Sequence, residues 1–144
     1  MKLYPYRCNE NAWRCSITWT RPRRISDYLR KPDDKDASLY MIIDKNNKKI
    51  LYLGITHRQY AVNRINGHGY KEGFVSVGIM KAENYEKITR QRVEDAESLL
   101  IYFYRPKDNS NKNTWINLRE PTLVENKGSC KFFPRYLSYG MCIS

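Results

Sequence analysis

The chain has no apolar run near the ~20 residues that a membrane-spanning helix needs, and Met1-Lys-Leu-Tyr-Pro5 lacks the apolar stretch of a signal peptide. A membrane anchor is therefore not expected. It has no C-x-x-C pair. Cys8, Cys15, Cys130 and Cys142 stand apart, which argues against a zinc cluster and favours reduced thiols in a cytoplasmic protein. Internal repeats and low-complexity segments are absent, so a repeat architecture drops out. Acidic residues are in the minority, 15 against 26 Lys+Arg, leaving a formal net charge of +11 over 144 residues. That length gives one domain with a real core.

The positive excess suits a polyanionic partner, nucleic acid first and an anionic membrane surface second. The plainer reading is a basic protein whose lysines are solvated, and charge alone leaves the two level. Aromatics are abundant, with 12 Tyr and 3 Trp. Tyrosine packs by its ring and hydrogen-bonds at its edge, which suits half-buried sheet positions and nucleic-acid surfaces alike.

Residues 1–37 read as a basic aromatic arm carrying Trp13, Trp19, Arg21, Arg23 and Arg24. Within it Ser26 is the expected N-cap of a short helix over Asp27–Lys31 that Pro32 stops. Leu39–Ile43 and Ile50–Ile55 flank the polar turn Asp44–Lys49 and predict a β-hairpin. Both runs are nearly continuous, as in strands covered on both faces. His57–Ile65 reads as a helix ending at Gly67-His68-Gly69, and Phe74–Met80 as a third strand in which Gly78 marks a close approach. A further helix is expected after Asn84, its proposed cap. Val93, Ala96, Leu99, Leu100 and Phe103 form its buried stripe, with Glu97 at the edge of that stripe beside Val93 and Ile101. The helix should stop at Arg105-Pro106. An asparagine-rich loop follows, then a tail with one or two short strands.

The order Ser38-Leu39-Tyr40, Tyr52-Leu53-Gly54, Arg64, His68, Glu97, Pro106 and Asn109 resembles the GIY-YIG nuclease superfamily over roughly residues 38–109. The first family motif has glycine where this chain has Ser38, and Arg64 sits further from Gly54 than in many members. The resemblance implies an α/β fold: a small antiparallel sheet of about three strands flanked by helices, with N- and C-terminal extensions. It divides the chain into the arm 1–37, a nuclease-like core 38–109, and a loop and C-terminal extension 110–144 packed on the same domain.

The same resemblance implies roles. Glu97 binds Mg²⁺ or Mn²⁺, being a hard oxygen ligand, with Glu94 one turn earlier as its rival. Arg64 holds the developing charge on a phosphate through its planar fork. Tyr40 serves as general base, Tyr52 positions water or phosphate, and His68 orients Tyr40 or shuttles its proton. A free tyrosine hydroxyl has a pKa of about 10, so Tyr40 needs nearby positive charge for that task. Asn109 and the cluster Arg21, Arg23 and Arg24 are the expected substrate contacts.

The implied activity is metal-dependent hydrolysis of DNA phosphodiester bonds by a compact restriction-like or mobile-element-like endonuclease, with a homodimer as the form for cutting two strands. The alternatives are a catalytically weak nucleic-acid-binding module on the same fold and a protein-interaction domain. Each residue also has an ordinary reading: a cross-strand tyrosine pair, a solvated arginine and glutamate, a loop histidine, a turn asparagine. Their joint occurrence in family order favours the functional one.

Overall fold

The computed structural model describes residues 12–32, 36–56, 61–83, 86–109, 118 and 121–139. The elements in chain order are β1 (Trp13–Trp19), β2 (Arg23–Arg24), α1 (Ile25–Arg30), β3 (Leu39–Ile43), β4 (Ile50–Ile55), α2 (Ala61–His68), β5 (Phe74–Ala82), α3 (Arg90–Tyr104), β6 (Thr122–Gly128) and β7 (Tyr136–Tyr139). Cys8, Cys142, Asn84 and the 57–60 part of the expected helix lie outside the described residues.

The hairpin forms where the polar turn interrupts the apolar runs. Asp44 Oδ1 accepts from Lys48 N at 2.7 Å and Lys49 N at 3.2 Å, and Asn47 takes the left-handed conformation at φ 54°. These bonds hold the Asp44 carboxyl below its ordinary pKa range, the Lys48 backbone bond being the largest cause. β3 pairs antiparallel with β4 on one side and with β5 on the other. Ser38 sits just before β3. Its N–H donates to Gly78 O at 2.8 Å and its carbonyl accepts from Thr56 N at 2.9 Å.

The sheet does not stop at three strands, contrary to the sequence expectation. It is a curled seven-stranded mixed sheet with three helices among the described residues, in the order β4-β3-β5-β1-β6-β7, with β2 also on β5. The reason lies in the two tryptophans of the supposed arm. Trp13 and Trp19 are 5% and 1% exposed, and the strand between them inserts between β5 and β6. β1 runs antiparallel to β5 and parallel to β6, which lies more than a hundred residues later. Trp19 pairs with Gly78, where a Cβ would lie 2.7 Å from Ile17 Cγ2 and 3.0 Å from the indole. Pro22 cannot donate to a ladder. The strand breaks there, and Thr20 bridges the gap: its Oγ1 accepts from Val77 N at 3.0 Å and its carbonyl accepts from Ser76 Oγ at 2.7 Å. Pairing then resumes at Arg23 and Arg24.

Apolar residues fill both faces. Leu39, Met41, Ile43 and Leu53 pack with α3 and the β1–β6–β7 side, while Tyr40, Ile42, Val75 and Val77 pack with α1 and α2. Three local expectations are also corrected. α1 starts at Ile25 with Arg24 at the N-cap and no side-chain cap bond, so Ser26 lies inside the helix. Thr89 caps α3, its side chain accepting from Arg92 N at 3.3 Å. Phe103 is 49% exposed, because the buried stripe of α3 runs through Ile101 instead. No helix among the described residues is long and apolar enough to cross a membrane.

β6 is tied to β1 by one buried polar knot. Trp19 Nε1 donates to Asn126 Oδ1 at 3.0 Å, and Asn126 Nδ2 donates to Pro134 O at 3.0 Å. Asn126→Ala should leave the indole N–H buried and unpaired, lowering stability by about 1–3 kcal/mol. A urea denaturation series against the parent chain checks it. No change would mean that the pairing of β1 with β6 does not depend on this side chain.

Candidate active site

Tyr40 lies opposite Gly54 across the β3–β4 ladder. A Cβ at Gly54 would sit 2.4 Å from Tyr40 Cζ and 2.5 Å from its hydroxyl oxygen. The phenol therefore lies across the backbone of β4 in space that any side chain at position 54 would fill. Tyr52, two residues earlier on the same face of β4, packs beside it with ring centroids 6.1 Å apart. Tyr40 is fully buried and Tyr52 is half-buried.

α2 brings the other two groups. Ala61 and Ile65 bury its inner face. Gly69, at φ 73°, ends the helix, and Gly69 N donates to Asn66 O at 3.2 Å. His68 is thus the last helical residue rather than a loop residue. Arg64 and His68 are four apart and share a face. The Tyr40 hydroxyl and His68 Nε2 are 2.6 Å apart, and the His68 ring lies 4.4 Å from that of Tyr52. The Arg64 cation lies close enough to act on the same hydroxyl.

The direction of the Tyr40–His68 bond follows from the electrostatics. Burial pushes the Tyr40 hydroxyl well above its ordinary pKa, the neighbouring Tyr52 and the Glu97 charge push the same way, and Arg64 opposes them. His68 is held below its ordinary value, first by desolvation and then by the Arg64 cation. Tyr40 is a neutral phenol and His68 a neutral imidazole. The phenol donates to Nε2, which places the ring proton on Nδ1, while the Arg64 cation favours charge on the phenol oxygen. The expectation that nearby positive charge lowers Tyr40 is half met: Arg64 supplies it, and burial outweighs it.

Glu97 is 7% exposed on α3, and its charge acts on Tyr40. Its rival Glu94 faces outward and pairs with Arg90 at 3.1 Å. Among the described residues no three His, Cys, Asp or Glu side chains gather as a metal cage. A single hard carboxylate fits Mg²⁺ or Mn²⁺, which keep several waters and take phosphate oxygens from the substrate. It does not fit a structural zinc.

Asn109 has a different position from the one expected. It is buried, with Oδ1 accepting from Leu53 N at 2.8 Å and Nδ2 donating to Leu53 O at 2.9 Å. Asp108 N donates to Leu51 O at 3.0 Å and Ile50 N donates to the Tyr104 hydroxyl at 2.9 Å. The end of α3 thus covers the free edge of β4, the strand that carries Tyr52 and Gly54. Arg105 takes the left-handed conformation at φ 58°, and Pro106 follows to turn the chain onto that edge. Two groups that sequence reasoning missed complete the wall. The Tyr70 hydroxyl donates to Asp108 Oδ2, and the Tyr70 ring lies 6.1 Å from that of His68. Nothing in their spacing marks them, since they meet only through the fold.

The arginine cluster divides. Arg23 donates to Lys31 O at 2.9 Å and Asp27 O at 3.2 Å, fastening the end of α1, whereas Arg21 and Arg24 are exposed.

Removing a cation favours protonation of its neighbour. Arg64→Gln should therefore raise the His68 pKa toward its ordinary 6.5 without reaching it, because desolvation remains. An NMR titration of the imidazole reads this directly, and an unchanged value would place Arg64 away from the ring. Gly54→Ala should cost about 1–3 kcal/mol by overpacking against Tyr40, and equal thermal stability would contradict the contact. Compared with known proteins, the chain matches no family model, no curated protein and no solved structure.

Proposed function

We propose that the chain is a metal-dependent endonuclease of the GIY-YIG kind, hydrolysing phosphodiester bonds of DNA. The observation that carries the reading is the convergence of His68 and Arg64 on the Tyr40 hydroxyl, with the Glu97 charge acting on the same group. Packing alone does not require a histidine, an arginine and a buried carboxylate around one phenol.

In this reading water attacks phosphorus as the bond to the leaving oxygen breaks. The water proton passes to the Tyr40 oxygen while the phenol proton passes to His68 Nε2, and the leaving oxygen takes a proton from solvent. Tyr40 relays the proton and His68 accepts it, so Tyr40 need not ionise beforehand. Arg64 holds a phosphate oxygen as charge grows. Glu97 would hold Mg²⁺ or Mn²⁺, and the chemistry such an ion supplies is stabilisation of charge on the phosphate and leaving oxygen. Tyr52 borders the hydroxyl and positions water or phosphate. Asn109 serves by fixing the edge of β4. The free thiols Cys15 and Cys130 accord with a reducing cytoplasmic setting, and a homodimer would supply the second cut of a duplex.

The test is nicking of supercoiled plasmid with Mg²⁺ and with a chelator. Glu97→Ala should abolish nicking with DNA affinity kept. Tyr40→Phe and Arg64→Ala should each slow it by at least about a hundredfold. If the parent chain binds DNA without nicking it, the nucleic-acid-binding module replaces this reading.

The protonation states give a pH prediction. His68 accepts a proton only when neutral, and its pKa lies below 6.5, so activity should hold at neutral pH and fall on acidification below that value. Arg64→Gln, whatever its rate, should move this acid limb to higher pH. A limb that stays in place would take His68 out of the proton path.

A further inference from the structure

Resting on the nuclease reading, we infer that a second anion site flanks the candidate active site and seats a backbone phosphate of the same DNA strand, about three nucleotides from the scissile one. The site is an open groove of about 310 Å³ lined by Arg24, Ser26, Lys45, Lys71, Glu72 and Phe74. Its three cations come from separate places: the start of α1, the β3–β4 turn and the α2–β5 connection. All three are exposed, and a single carboxylate, Glu72, faces them. Like charges gathered in a concavity repel one another and concentrate counter-ions, so an anion relieves them.

The placement follows from the sheet. Gly73 has φ 114°, and a Cβ there would sit 2.3 Å from Ile43 O. This close approach brings the chain after α2 down onto the end of β3 and sets Lys71 near Lys45. Arg24 and Ile43 both pair with Phe74, from opposite sides of β5. The groove therefore sits at the Ile43 end of β3, and Tyr40 lies three residues back along that strand. Three residues span about 10 Å, the rise of roughly three nucleotides at ~3.4 Å each. Ile25, also in its lining, belongs to the same apolar cluster as Tyr40 and Ala61, whereas Phe74 packs with Ile43 on the other cluster, so the groove opens at the end of the sheet and borders the face of the active site through Ile25. Residues 69–73 run from His68 straight into the groove.

The experiment measures binding of a short DNA duplex without metal over a series of salt concentrations. Lys45→Gln with Lys71→Gln should lower the slope of log affinity against log salt by ~0.9, the share of one phosphate contact. Lys48→Gln with Lys49→Gln removes the same charge from exposed positions outside the groove and should change the slope less. An equal or larger effect from that control would overturn the site in favour of diffuse charge, as would an unchanged slope in the groove variant.

Position is read by replacing single phosphates with neutral methylphosphonates. One such link should weaken the parent chain and have no effect on the groove variant; additive losses at every link would overturn the site. These measurements read no cleavage. A protein that shows the slope change but nicks no plasmid would end the nuclease reading and keep the groove.

Discussion

The missing side chain at position 54 is the constraint on which the site depends. A strand pair places directly opposed residues a few ångströms apart, so two side chains on one face normally stand side by side. With glycine opposite, the Tyr40 ring instead lies down across β4, its hydroxyl over the neighbouring backbone. Only from there can a residue buried in the middle of a hairpin reach a helix end and meet His68. The tyrosine and the glycine are one device, and the second tyrosine, Tyr52, closes the side of it.

That device needs a rigid β4, and β4 is an edge strand. Its exposed backbone groups would fray or recruit another strand unless covered. The chain after α3 covers them with Tyr104, Asp108 and both ends of the Asn109 amide. The same segment meets Tyr70 through Asp108, linking the far side of His68 to the helix that carries Glu97. Edge protection and site positioning are therefore one set of bonds. The opposite half of the sheet, β1 with β6 and β7, contributes bulk: it buries Trp13, Trp19 and Phe133 and gives α3 a floor.

Charge is deployed unevenly. Arg23 is spent on helix carbonyls and Arg90 on Glu94, while Lys131 donates to Asn47 O. Arg24, Lys45 and Lys71 face one carboxylate in a groove at the Ile43 end of β3. A net charge of +11 says only that anions are attracted. Which cations converge is a property of the fold.

The sequence by itself determined what is local. The polar turn at Asp44–Lys49 set the hairpin, the left-handed Gly69 and the Arg105-Pro106 step ended two helices, and four-residue spacing put Arg64 and His68 on one helix face. The order of the tyrosines, Arg64, His68 and Glu97 named the groups that the fold brings around one hydroxyl. Tertiary structure decided the rest. The arm became a central strand because Trp13, Cys15, Ile17 and Trp19 line one face of it and bury together in the core shared with α3 and β6, and its parallel partner β6 lies too far along the chain for any periodicity to reveal. Phe103 shows the same limit: helical spacing gives the phase of a buried stripe but not how far the neighbouring layer reaches, and here it stops at Ile101. Asn109 binds the backbone edge of β4 because, among the described residues, no strand lies beyond it. The proton's resting place on Tyr40 was likewise beyond the sequence, since desolvation by surrounding layers outweighs the one cation that spacing could place nearby.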